Sequence, residues 1–219
     1  MAAPVVIRSV MFDFGGVITS SPFDWFERYE RDQGLPPGCI RQLNATNPDT
    51  NAWARLERSE ITFDQFCDEF EAEAAAAGFS LDARVAMAGL RGQLRPEMVE
   101  VVRDCSHRFK TACLTNNFQG FHAAQREDIA EVLSLFHLVL ESRELGIRKP
   151  DPRIYRMACE RLGVEPSEVV FLDDLGVNLK PARALGMTTI KVVDPGQAID
   201  ELYATVGRPT WGARPGPKR

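Results

Sequence analysis

The chain has 219 residues, 44% of them hydrophobic and 26% charged, a composition typical of a globular protein. That length can bury a sizeable core and suits one domain carrying an inserted lobe. A formal net charge of −5 gives no reason to expect nucleic acid or a membrane surface as partner, and no apolar run approaches the length of a membrane span.

Residues 5–20, VVIRSVMFDFGGVITS, open the chain with an apolar, β-branched run that ends in one carboxylate, Asp13, followed by Gly15 and Gly16. The run predicts a strand buried on both faces, as in a parallel sheet, with Asp13 at its carboxyl end, where open α/β sheets place their ligand crevice. The stretch is too short for a secretory signal and has no small-residue cleavage pattern behind it. Five dispersed cysteines (Cys39, Cys67, Cys105, Cys113, Cys159) show no ligand-like spacing, so reduced thiols and a cytoplasmic location are expected.

Residues 20–95 have no strong β pattern and predict a small helical lobe. Phe23, Trp25, Phe26 and Tyr29 stand at helical spacing, and QGLPPG at 33–38 and the polar stretch 44–51 predict loops. A short helix is expected over 52–59, and a longer one over 62–77. The second opens on a possible cap, Thr62, and carries Phe63, Phe66, Cys67 and Phe70 on one packing face. A further helix is expected over 96–109, with Met98, Val101, Val102 and Cys105 as its apolar side.

The strand TACLTNN at 111–117 ends in hydroxyl and amide groups able to hold a phosphate or carboxylate. His122 follows in a helical stretch, where a lone histidine is more often a packing or surface residue than a catalyst. Another strand is expected over 136–142. It leads to GIRKPDP at 146–152, a loop stiffened by prolines with Lys149 in it and Pro152 suited to a helix's first turn. VVFL at 169–172 predicts a strand running into Asp173 and Asp174, two adjacent acids that need donors or a hard cation such as Mg²⁺. A helix over 179–185, a strand over 188–193 and a closing helix over 198–205 complete the pattern. Alternating strands and helices predict an α/β fold, a doubly wound parallel sheet. The tail 207–219, rich in Pro, Gly and Arg, is expected to be mobile, with Trp211 as a possible anchor.

Taken in this order, the Asp13, Thr115–Asn116, Lys149 and Asp173–Asp174 segments resemble the four motifs of the haloacid dehalogenase-like hydrolase superfamily. VVFLDDLGVNLKPARALGM is also similar to the N-terminal phosphatase domain of soluble epoxide hydrolases. The resemblance implies a Rossmann-like core over 1–19 and 96–206 and a helical cap over 20–95. It implies Asp13 as nucleophile, forming an aspartyl-phosphate, and Mg²⁺ held by Asp13, the Gly15 carbonyl and Asp174 with Asp173 in support. Lys149, Thr115 and Asn116 would hold the phosphate of a small phosphorylated substrate, and Asn178 would orient Lys149 or the acid pair.

One position departs from the family. Its phosphatases usually carry a second aspartate two residues after the nucleophile, as acid and base, and here that residue is Gly15. Such a group contributes about 10²–10⁴-fold. Either another group such as His122, a cap residue or a water replaces it, or the substrate has an easy leaving group. Two further readings fit Gly15: a metal-independent 2-haloacid dehalogenase, and a catalytically weak or inactive binding protein.

Overall fold

The computed structural model describes residues 6–90, 92–118 and 127–208. Five strands, β1 (Ser9–Phe12), β2 (Lys110–Thr115), β3 (Leu138–Glu141), β4 (Val169–Asp173) and β5 (Thr188–Lys191), form one sheet in the order β3-β2-β1-β4-β5 with every pair parallel. Two strands on one side of β1 and two on the other make this a doubly wound sheet whose order reverses at β1 and β4.

The chain alternates between the two faces of the sheet because side chains of a strand alternate. Val10 and Phe12 of β1 join the core under α6 (Pro96–Arg108), α7 (Glu127–Leu133) and α11 (Pro195–Val206). Met11, between them, joins the opposite core under α9 (Pro152–Leu162) and α10 (Gly176–Ala184). All four residues of β1 are buried, Ser9 among them, which accounts for the apolar run 10–12 without polar alternation.

Between β1 and α6 lie α1 (Pro22–Asp32), α2 (Cys39–Ala45), α3 (Ala52–Glu57), α4 (Phe63–Ala76) and α5 (Ala83–Ala88), packed around a hydrophobic cluster of their own. Phe66, Cys67 and Phe70 of α4 point into it, so the aromatic stripe is packing. Thr62 caps α4 as expected: its hydroxyl accepts from Gln65 N, and the Gln65 side chain accepts from Thr62 N. Trp53 sits among Phe26, Phe66, Phe70 and Phe118, with ring centroids 5.8–6.5 Å apart. The two chain crossings into and out of this segment run side by side. Ser20 N donates to Gln93 O at 2.8 Å, and Arg95 N donates to Ile18 O at 2.9 Å.

Sequence patterning did not anticipate α2, α5 or α8 (Ser142–Leu145). Helix α2 has no side-chain cap of its own; the buried Glu30 carboxylate accepts from Gly38 N at 2.6 Å and Ile40 N at 2.9 Å. A cap supplied from another helix leaves no local signature. The five cysteines are free and buried, and burial pushes the thiols of Cys39 and Cys159 up to about 11. No helix among the described residues is long and apolar enough to cross a membrane. His122, Trp211 and the tail from residue 209 lie outside the described residues.

Candidate active site

β1 and β4 are neighbours, in register from Ser9↔Val169 to Phe12↔Leu172, so the residues that follow them emerge together. Asp13 N donates to Leu172 O at 2.8 Å, which fixes the backbone of Asp13 against the strand that carries Asp173 and Asp174. Carboxylate oxygens of Asp13, Asp173 and Asp174 lie within 4.8 Å of one another. The switch point of the sheet is therefore where the acids meet.

Lys149 arrives from the loop before α9. Its side chain is only 1% exposed, and its Nζ lies 2.8 Å from Asp13 Oδ1 and 2.7 Å from Asp173 Oδ2. Burial works against the ammonium, but the attraction of Asp13 and Asp173 outweighs it and holds the lysine pKa above its usual value. Lys149 is thus a fixed cation. Asn116 positions it: the Asn116 amide donates to Lys149 O at 3.0 Å and accepts from Lys149 N at 2.9 Å. Both ends of the Asn116 side chain are engaged with the Lys149 backbone. Thr115 ends β2, half-buried, on the strand that pairs with β1.

The two adjacent aspartates differ. Asp173 is fully buried and supplied with donors: Lys149 Nζ, Leu175 N at 2.8 Å and Asn178 Nδ2 at 3.0 and 3.1 Å. Tyr155 Oη donates to Asn178 O at 2.7 Å and so steadies that residue from the core. Asp174 is half-buried, and no side chain among the described residues hydrogen-bonds to it. Burial and then Asp173 push its carboxyl up to about 6. Asp13 is raised well above the ordinary range by burial, with Lys149 pulling it back and Asp173 and Asp174 pushing it further up. Its Oδ1 accepts from Phe14 N at 2.6 Å as well as from Lys149, whereas Oδ2 has no donor among the described residues.

Three carboxylates around one ammonium leave an excess of negative charge. Oxygen-only donors, one of them without a side-chain partner among the described residues, suit a hard divalent cation, which takes a few carboxylates and completes its shell with water.

The two glycines after Asp13 have different roles. Gly16 has φ +74°, and a Cβ there would fall 2.3 Å from Asp174 Oδ2. Its carbonyl accepts from Arg95 Nη1 at 2.6 Å. Gly15 has ordinary φ, and its nearest neighbour to a Cβ is Pro22 Cδ at 3.9 Å. Gly16→Ala is expected to cost about 1–2 kcal/mol in backbone strain alone and to displace Asp174. Thermal unfolding, set beside activity per folded molecule, checks it; an unchanged midpoint with full activity would contradict the role given to Gly16.

Sequence reasoning found Asp13, Lys149, Asp173, Asp174 and Asn178, all now in one cluster. It did not single out Arg95, Tyr155, Arg148 or Glu57. Arg148 lies in the noticed RKPDP loop, but Glu57 has no local signal, because a glutamate on a short helix reads as a solvated face.

The model of haloacid dehalogenase-like hydrolases matches residues 7–186. The chain is 36% identical over 209 residues to mouse acyl-CoA dehydrogenase family member 10, covering 92% of this chain and 19% of that protein. It is 32% identical over 220 residues to pig bifunctional epoxide hydrolase 2, covering 93% and 39% respectively. The chain therefore spans well under half the length of these relatives. A phosphatase of Mycobacterium tuberculosis is 32% identical over 207 residues, covering 89% of this chain and 91% of that one. Among solved structures, a haloacid dehalogenase family enzyme from Bacteroides thetaiotaomicron, in complex with magnesium and inorganic phosphate, superposes with a TM-score of 0.62 at 18% identity, covering 90% of this chain and 99% of that one. With the acids and the lysine gathered at the switch point and the family model spanning most of the core, the chain belongs to the haloacid dehalogenase-like hydrolases.

Proposed function

We propose that the chain is a Mg²⁺-dependent phosphatase that cleaves a small organic phosphate through an aspartyl-phosphate. The observation that carries this reading is the cluster itself: a buried carboxylate with one oxygen unpartnered among the described residues, a fixed lysine beside it, and two further acids within reach of one cation. The phosphatase relative in Mycobacterium tuberculosis supports the reaction class.

In the first step Asp13 Oδ2 attacks phosphorus and the bond from phosphorus to the leaving oxygen breaks. Asp13 Oδ1 stays held by Lys149 and Phe14 N, which fixes the attack direction. In the second step water attacks the phosphoryl group, inorganic phosphate leaves and the Asp13 carboxylate returns. Lys149 offsets the charge of the transferring group, and Thr115 with neighbouring amides receives its oxygens. Asp13, Asp174 and the Gly15 carbonyl would hold Mg²⁺, with Asp173 in support; when bound, the ion neutralises charge on the phosphoryl group. Asn116 acts on the reaction through Lys149. Residues 20–95 serve as a cap over the core of 1–19 and 96–206, limiting water and choosing the leaving group.

Gly15 favours a second reading, a 2-haloacid dehalogenase, which also uses an aspartate nucleophile without the second acid. Chelation separates the two. Phosphate release from p-nitrophenyl phosphate and acetyl phosphate is expected to fall on the order of 100-fold or more in EDTA and to return with Mg²⁺. Halide release from a 2-haloacid that ignores EDTA, with no phosphate release, would establish the dehalogenase instead.

A further inference from the structure

Glu57 is a buried carboxylate with no part in the steps above. It ends α3, and its side chain is 8% exposed. Its Oε1 accepts from Trp53 Nε1 at 2.9 Å, one turn earlier on the same helix, and its Oε2 accepts from Arg148 Nε at 2.5 Å. Arg148 Nη1 also donates to Pro48 O at 2.8 Å. One guanidinium from the loop before α9 is thus fastened at two points of the helical segment. A carboxylate buried this far is costly without such a partner, and a rigid fork suits the two acceptors better than a point charge.

The next residue along the chain is Lys149. Neighbouring side chains of one stiff loop therefore serve opposite sides: Arg148 engages α3, and Lys149 spans Asp13 and Asp173. Asn116 holds the Lys149 peptide from the sheet side. Trp53, which fixes Glu57, packs against Phe118, two residues beyond Asn116, so the second anchor of Lys149 meets the same helical cluster. Other charged groups near this boundary are paired locally, Arg58 with Glu60 and Arg153 with Asp151. Ser59 Oγ crosses the boundary to Arg143 O at 3.0 Å, but that contact is neutral and exposed.

We propose that Glu57 is a positioning residue for Lys149: through Arg148, it makes the placement of the ammonium depend on helices α1–α5 being seated on the core. If the segment swings away, Arg148 loses its carboxylate and the Pro48 carbonyl together, and the loop that carries Lys149 loses its anchor on the helical segment. Seating of the helical segment and assembly of the catalytic cluster then become one event. The functional consequence rests on the phosphatase reading; the placement of Lys149 does not.

The test uses the full chain with Glu57→Gln, Arg148→Met, the double variant and Ser59→Ala. Brief acetylation by N-hydroxysuccinimide acetate, followed by peptide mass spectrometry, reads the reactivity of Lys149 against the exposed Lys180 and Lys191 of the same molecule. Folding is checked by circular dichroism, and kcat and KM are measured on p-nitrophenyl phosphate. Each single variant is expected to raise Lys149 labelling on the order of tenfold and to lower kcat by roughly 10- to 100-fold, with KM moving much less. The double variant should be no worse than either single one, because both remove the same link. Ser59→Ala should match the wild type. Should Glu57→Gln not fold, Arg148→Lys keeps the charge without the fork and gives the same readouts. Folded variants whose Lys149 stays as protected as in the wild type would overturn the proposal. A wild type that releases no phosphate would refute the phosphatase reading and leave the labelling to decide this one.

Discussion

Asp13→Asn should reduce phosphate release by roughly 10⁴-fold or more, the scale of losing a nucleophile. The replacement keeps the volume, and its amide oxygen can still accept from Phe14 N, which now donates to Oδ1 at 2.6 Å. It removes the oxygen that attacks phosphorus, so the loss should appear in kcat rather than in substrate binding. The measurement is phosphate release in saturating Mg²⁺, beside a binding isotherm for inorganic phosphate with the same variant. Retained binding without turnover fits the mechanism. Turnover within tenfold of wild type would remove Asp13 as nucleophile. An inactive wild type whose affinity shifts in Asp13→Asn would instead mark a binding protein.

Gly15→Asp should have the second large effect, in the opposite direction. The missing acid is worth about 10²–10⁴-fold where the leaving group needs a proton. The backbone tolerates the change, since Gly15 has no positive φ and a Cβ meets only Pro22 Cδ at 3.9 Å. For an alkyl phosphate, kcat should therefore rise on the order of 100-fold. For acetyl phosphate, whose leaving group departs without help, it should change little. A rise on both substrates alike would contradict the assignment of an acid role to this position. No rise on either would mean that another group already delivers the proton. The adjacent Gly16 provides the contrast: there the same added atom would fall on Asp174, so the two glycines are not interchangeable.

Much of the site was legible because strand ends carry it. Residues 10–12 of β1 and 169–172 of β4 are continuous apolar runs, and an acid at the end of such a run stands out against its surroundings. Lys149 stood out for a related reason, since prolines on both sides of Asp151 mark a stiff loop. What could not be read locally were the partnerships. Asp173 and Asp174 are neighbours with the same side chain, yet one receives donors from Lys149, Leu175 and Asn178 while the other has no side-chain donor among the described residues. The adjacency suggested a shared need for donors or a hard cation. The structure meets that need for Asp173 from protein groups and leaves Asp174 without a side-chain donor among the described residues.

Asn116 shows the same limit. An amide at a strand end suits a ligand, but here it fastens the Lys149 peptide at 2.9 and 3.0 Å. Helix α2 went unread because its cap, Glu30, belongs to α1, and Glu57 because its partner lies 91 residues away.

The sequence by itself determined the parallel α/β core, the order of its strands along the chain and the chemical type of each residue at their carboxyl ends. Those follow from apolar periodicity and turn chemistry, which act over a few residues. Only the tertiary structure decided that β1 lies beside β4, that one lysine bridges two of three acids, and that a glutamate from the helical segment holds the loop carrying that lysine. Such pairings depend on where distant segments are packed against one another, and burial then makes each of them strong.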